Sequence, residues 1–241
     1  MCMKLKKLIF LTILIIFISV LLYSFNLKTN EKKYNIITNN DIKLEIKKII
    51  LVGDSRMDLM SKSRKELDMP NSVIFDAKNG VKIDWFYKTG ISKLYDIISN
   101  KNYKYYVVFN LGVNDLHYVE DVELRVQEYY KYYNNIVKKN PNIKFYFLSV
   151  NPIIEDVLKE NFGYDDKKTN KKINRFNKEM KKIIEESNLN NFNYCDSNSS
   201  LDFIIPDGIH YDLNTNKNIL DFIITRCIKI NKNYYYKKHT I

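Results

Sequence analysis

Ile49-Ile50-Leu51-Val52 runs without a polar residue into Gly53-Asp54-Ser55, and a mostly polar helical pattern follows. Consecutive apolar positions rich in Ile and Val suit a strand buried on both faces, the condition of a parallel sheet covered by helices. Gly-Asp-Ser then reads as a tight turn that lifts Ser55 to the carboxyl edge of the sheet, at the start of a helix. Ligands of open α/β sheets bind outside those carboxyl ends. Backbone N–H groups at a helix start can stabilise negative charge that develops there. Ser55 is therefore a candidate nucleophile, with simple helix capping as the rival reading.

The remainder alternates strand and helix. A helix over about 57–67 closes at Pro70, and Val73-Ile74-Phe75 is a short second strand. A helix over roughly 91–99 leads into a third strand, Tyr105 to Leu111. Val122, Val126, Tyr129, Tyr133 and Val137 recur at helical steps and give one apolar face, ended by Pro141. Ile143 to Val150 is a fourth strand, and Ile173, Phe176, Met180 and Ile183 mark another helix. Phe192 to Cys195 is a weaker fifth strand, and Leu220, Ile223, Ile224 and Cys227 form the stripe of the last helix. The stretch from Pro152 to about Asn170 is mainly polar and is expected to be a loop, with Phe162 and Tyr164 flanking Gly163 as one wall of an open cleft. Five such alternations imply a parallel sheet with helices on both faces. A chain of 241 residues accommodates one such domain, placed at 47–231.

The ends differ from the body. Lys4, Lys6 and Lys7 precede an uncharged run from Leu8 to Phe25. As a helix, that run spans about 27 Å, enough for a hydrocarbon core. No small-x-small cleavage site follows it, so residues 1–25 are expected to be an uncleaved signal anchor, with secretion after cleavage as the alternative. Residues 26–46 then form a polar stalk, and 232–241 a basic tail. Of the net charge of +11, residues 1–33 hold +5 and residues 222–241 another +5. A nearly neutral body argues against nucleic-acid binding; the basic ends suit attraction to an anionic membrane or wall surface, with plain solvated tails as the equal alternative. The lysines ahead of the run favour the amino terminus inside and the domain outside the cell membrane, with Lys28, Lys32 and Lys33 behind the run acting against that orientation. Cys2, Cys195 and Cys227 make no C-x-x-C pair and no zinc spacing accompanies them, so neither a metal site nor disulfide stapling is expected.

Three further stretches carry chemistry: Asn79-Gly80 after the second strand, Gly112-Val113-Asn114-Asp115 after the third, and Asp207-Gly208-Ile209-His210 before the last helix. A serine nucleophile needs a base, the base an orienting carboxylate, and the oxyanion a set of donors. His210 can supply the base and Asp207 the carboxylate, with Asp212 as an alternative. Asn114 can supply an amide donor, and Gly80 and Ser55 backbone N–H groups. His117 reads as a cleft or surface residue. For substrate contact the candidates are Arg56, for an anionic group or a nearby carboxylate, Trp85, for which packing is the rival role, and Tyr164.

The blocks Gly53-Asp54-Ser55, Gly80, Gly112-x-Asn114-Asp115 and Asp207-x-x-His210, in this order over residues 48–230, resemble the SGNH (GDSL) hydrolase family, in a membrane-anchored bacterial form. The resemblance implies a flavodoxin-like three-layer α/β/α sandwich with a five-stranded parallel sheet in the order 2-1-3-4-5. It also implies serine-esterase chemistry without metal or organic cofactor. The expected substrate is a short acyl ester, most simply O-acetyl, on an acylated carbohydrate of the cell envelope. An acyltransferase with the same triad and a non-catalytic binding module are the alternatives. The nucleophile stands in Gly-Asp-Ser-Arg-Met, so the G-x-S-x-G elbow of α/β-hydrolases is not present.

Overall fold

The computed structural model describes residues 46–117, 119–163 and 168–231. The expected anchor, all but the last residue of the stalk, and the basic tail lie outside them. Among the described residues no helix is long and apolar enough to cross a membrane.

Five strands, β1 (Ile46–Gly53), β2 (Val73–Ala77), β3 (Tyr103–Asn110), β4 (Lys144–Leu148) and β5 (Phe192–Cys195), form one parallel sheet in the order β2-β1-β3-β4-β5. Their side chains sort by parity, as a pleated sheet requires. Ile50, Val52, Val107, Phe109, Phe145 and Phe147 enter one core and Ile49, Leu51, Tyr106, Val108, Tyr146 and Leu148 the other. The second core is closed by α1 (Ser55–Lys62) through Met57 and Met60, and near the carboxyl end of the chain by Ile219, Leu220, Ile223 and Ile224. On the opposite face pack α2 (Ile83–Trp85), its continuation through a π-helical turn at Phe86–Gly90 into α3 (Ile91–Ile98), and α4 (Val122–Lys139). With two layers of helix around the sheet, this is the three-layer α/β/α sandwich expected.

The α4 face is aromatic and contiguous: Tyr133 stacks on Phe109 with ring centroids 4.1 Å apart, and Tyr129 meets Phe176 edge-on at 5.1 Å. Phe176 belongs to α6 (Asn170–Glu186), which lies beside α4.

Two sequence expectations are corrected. The stretch 152–170 is not all loop: α5 spans Glu155–Phe162, buries Leu158 and stops at Gly163 in the left-handed conformation. Glu155 and Asp156 in its first turn complement the helix dipole, and a left-handed glycine is a regular helix stop. The polar composition hid a helix that needs only one buried side chain. The second correction is a disulfide, Cys195–Cys227, with Cα atoms 5.7 Å apart. It joins the end of the edge strand β5 to the π-helical turn Ile223–Cys227 that follows α7 (Leu213–Phe222). The two cysteines stand 32 positions apart in the sequence, so only tertiary folding brings them together.

Candidate active site

In the β2-β1-β3 order, the chain leaves β1 toward β2 and returns on the other side to β3, which makes the carboxyl end between β1 and β3 a topological switch point. Gly53 is level there with Asn110 and Ala77. A Cβ on Gly53 would collide with the Met57 side chain and come 3.0 Å from the Asn110 carbonyl oxygen, so glycine permits α1 to start directly on the strand end.

Asp54 caps that helix: its Oδ1 accepts the Arg56 N–H at 3.1 Å. Burial pushes the Asp54 carboxyl above its ordinary range, against the pull of Arg56 and its N–H. Ser55 is the first residue of α1, where backbone N–H groups have no intrahelical acceptor.

His210 arrives from the loop between β5 and α7. Its Nε2 lies 3.0 Å from Ser55 Oγ and its Nδ1 2.6 Å from Asp207 Oδ2. Asp207 Oδ1 also accepts the backbone N–H groups of Ile209 (2.9 Å) and His210 (2.7 Å). Burial acts to raise the Asp207 carboxyl, but these donors and the His210 ring outweigh it and hold it below the usual carboxylate range. An ionised Asp207 fixes the proton on Nδ1 and leaves Nε2 as the acceptor for the serine proton. Asp212, the alternative carboxylate, is instead the N-cap of α7, accepting the Thr215 N–H at 2.7 Å.

Asn114 donates one of its two amide N–H groups to the Val81 carbonyl at 3.1 Å, which brings the third-strand turn against the Gly80 loop. Gly80 is exposed, with φ +70° and open space where a Cβ would stand.

The substrate-contact candidates fare differently. Arg56 is buried, and its guanidinium is taken up by backbone carbonyls. Nε donates to the Ile209 carbonyl, Nη1 to Asn151 and Nη2 to Pro152, each at 2.8 Å, while the group lies over the Tyr211 ring at 4.8 Å. Five N–H donors in a rigid fork suit it to gathering carbonyls from separate segments. Arg56 thus ties α1 to the turn that holds His210. Trp85 is half-buried and packs against the core beneath α3, the rival role. Tyr164 lies outside the described residues. His117 is buried rather than on the surface.

Several contributors carry no local sequence signal. The backbone at the start of α5 and at its N-cap Ile154 presses on Gly208: a Cβ there would stand 2.8 Å from Leu158 Cα and 2.9 Å from the Ile154 carbonyl oxygen. Only glycine, at φ +89°, lets the Asp207–His210 turn dock on that helix. Lys168 is buried near Asp54 and Arg56, and burial first, then Arg56, pushes its ammonium down to about 8. A second polar cluster, in which Ser149, Ser197, Asn151 and Asn198 hydrogen-bond one another, knits the end of β4 to the segment after β5. Among the described residues no group of three or more His, Cys, Asp or Glu has an arrangement that holds a metal.

A serine, a histidine and an aspartate in hydrogen-bonded sequence at a sheet's switch point define a serine-hydrolase active site. Solved structures share the fold. A lipase/acylhydrolase from Enterococcus faecalis superposes with a TM-score of 0.52 at 16% identity over 76% of this chain and 96% of that one. A member of the lipolytic protein G-D-S-L family from Veillonella parvula gives 0.53 at 12% over 76% and 100%. A carbohydrate acetylesterase family member from Sinorhizobium meliloti gives 0.53 at 14% over 76% and 99%. No family model and no curated protein matches the sequence.

Proposed function

We propose that this chain is an SGNH (GDSL) hydrolase, an extracytoplasmic serine esterase that removes short acyl groups, O-acetyl first among them, from a cell-envelope polysaccharide. The observation that carries the reading is the Ser55 Oγ–His210 Nε2 contact of 3.0 Å, backed by Asp207 at 2.6 Å. In this mechanism Ser55 Oγ attacks the ester carbonyl while its proton passes to His210 Nε2. The oxyanion forms toward the Ser55 and Gly80 N–H groups and the Asn114 amide. His210 then gives its proton to the departing sugar oxygen, leaving an acyl-serine. Water attacks in turn, its proton taken by His210; the bond to Ser55 Oγ then breaks, His210 returns the proton to that oxygen, and the carboxylic acid departs and ionises in solution.

Three features support the finer parts. The blocks run in the family's order. A disulfide in the domain fits an oxidising compartment outside the cytoplasm. The apolar run Leu8 to Phe25 supplies an anchor that keeps the domain near the envelope. A longer acyl chain is the second reading, because α5, against the His210 turn, exposes Phe162 (49%), and Ile154 just before it is 41% exposed.

The test is a fluorophosphonate probe followed by a chain-length series of p-nitrophenyl esters beside acetylated wall glycan. Labelling of the wild type and not of Ser55→Ala, with kcat/KM greatest at two carbons and acetate released from glycan, is the expected result. Equal labelling of both proteins overturns the nucleophile. A kcat/KM that climbs to twelve carbons without acetate release selects the long-chain reading.

A further inference from the structure

Beneath the Gly80 loop the Gly112–Asp115 turn makes a second attachment. Asp115 Oδ2 accepts the Ile83 backbone N–H at 3.2 Å and the Tyr129 phenol at 2.5 Å, while Oδ1 lies 3.7 Å from Arg125 Nη1. The Asp115 side chain is 1% exposed, and Ile83 and Tyr129 are fully buried.

Ile83 is the first residue of α2. Its N-cap, Lys82, offers no side-chain acceptor, so the orphan N–H is met by a carboxylate from 32 residues further along the chain. Together with Asn114 on the Val81 carbonyl, two successive residues of one turn grip the loop at a carbonyl and at an N–H two positions on. A Cβ at Gly80 would meet nothing within 4 Å, so no side chain could pack at that position, and the bonds from Asn114 and Asp115 are attachments that tie the loop to the neighbouring turn.

We infer that Asp115 is a positioning residue for the oxyanion site: by holding the Ile83 N–H it sets the Gly80 loop at the distance from Ser55 that the developing oxyanion requires. The inference rests on the reading of Gly80 and Asn114 as oxyanion donors. Displacing a group by about 1 Å in such a site can cost about 100-fold in rate. The expected losses therefore fall on reactions that place an anionic oxygen in the hole, not on substrate binding.

The test measures the second-order rate of fluorophosphonate labelling at Ser55, which needs no natural substrate, with the thermal midpoint of each variant recorded beside it. Asp115→Ala should label at least tenfold more slowly, and ester turnover should fall in kcat with KM within about twofold. Asp115→Asn keeps an acceptor of the same reach and should stay within about threefold of wild type. If Asp115→Ala does not fold, Asp115→Glu, whose acceptor sits one methylene too far, should slow labelling at least fivefold. Folded Asp115→Ala or Asp115→Glu protein that labels at the wild-type rate overturns the inference while leaving the serine-hydrolase reading intact. Asp115→Asn as slow as Asp115→Ala overturns it too, because acceptor position is then not what matters. No labelling of the wild type removes the active-site reading itself, and the inference with it.

Discussion

The Cys195–Cys227 disulfide brackets the segment that carries Asp207, His210 and α7, so removing it tests whether the active site depends on the crosslink for its shape or only for its survival. A crosslink that closes a loop of 32 residues withdraws conformational freedom from the unfolded chain, worth about 4 kcal/mol at 25 °C by the loop-closure relation. For a domain of this size each kcal/mol moves the midpoint by about 2–4 °C, so the Cys195→Ser/Cys227→Ser protein should melt about 8–15 °C below wild type. Dithiothreitol should lower the wild type by the same amount and leave the double variant unmoved. Free-thiol titration of the denatured, unreduced protein should find one thiol, from Cys2, and three after reduction. Esterase activity at 25 °C should change little. The His210 turn is also held by Arg56 on the Ile209 carbonyl and by α5 against Gly208, neither of which the crosslink supplies. Midpoints that agree within 2 °C with and without reductant would refute the stability argument. Loss of activity well below the midpoint would refute the claim that the turn is held independently.

Asn114→Ala should reduce kcat by about 10² to 10³ with a smaller change in KM, since its second amide N–H matters most once the oxyanion forms; an unchanged kcat in steady-state assays makes it a structural link to Val81 only. Asp207→Asn should cost about 10⁴ in kcat while Asp212→Asn, which keeps an oxygen for the Thr215 N–H, should leave both activity and the α7 cap nearly unchanged, and the reverse ranking would exchange their roles. Arg56→Met should destabilise the fold by about 3 kcal/mol, because two buried carbonyls and one partly buried one lose a charged donor at once; a denaturant midpoint equal to wild type would show that these bonds do not hold the turn. Burial, opposed by Tyr129, Arg125, the Ile83 N–H and Lys82, pushes Asp115 up to about 6 from an ordinary 3.8. The folded state therefore holds this proton more tightly than the unfolded chain, and wild type should lose about 3 kcal/mol relative to Asp115→Asn as pH rises from 4 through 6, then level off. Denaturant titrations at pH 4, 5, 6 and 8 that show no such divergence would mean that its donors already offset burial.

What the sequence makes legible here follows from the range of the forces involved. The five strands announce themselves because a doubly covered sheet needs unbroken apolar runs, and the order of glycine-bearing turns follows from where those strands end. The strand order itself was reached through the resemblance, since apolar runs alone do not say which strands are neighbours. Ser55, Asp207 and His210 were visible as types at suitable turns, and Asp207 in particular because three residues of tight turn leave its carboxylate little choice of partner. The carbonyl contacts of Arg56 are hidden in the sequence for the opposite reason. Its partners, the carbonyls of residues 151, 152 and 209, offer no side-chain identity from which a pattern could be drawn. The disulfide was missed because cysteine spacing informs only when loops are short, and α5 because a helix with a single buried side chain has almost no periodicity to detect. Asp115 shows the limit most sharply. Its neighbour Asn114 was singled out for the donor it presents, yet the Ile83 N–H that Asp115 accepts belongs to a backbone group every residue but proline possesses. Positions that hold a site in shape act on the main chain, and the main chain looks the same at every letter of a sequence.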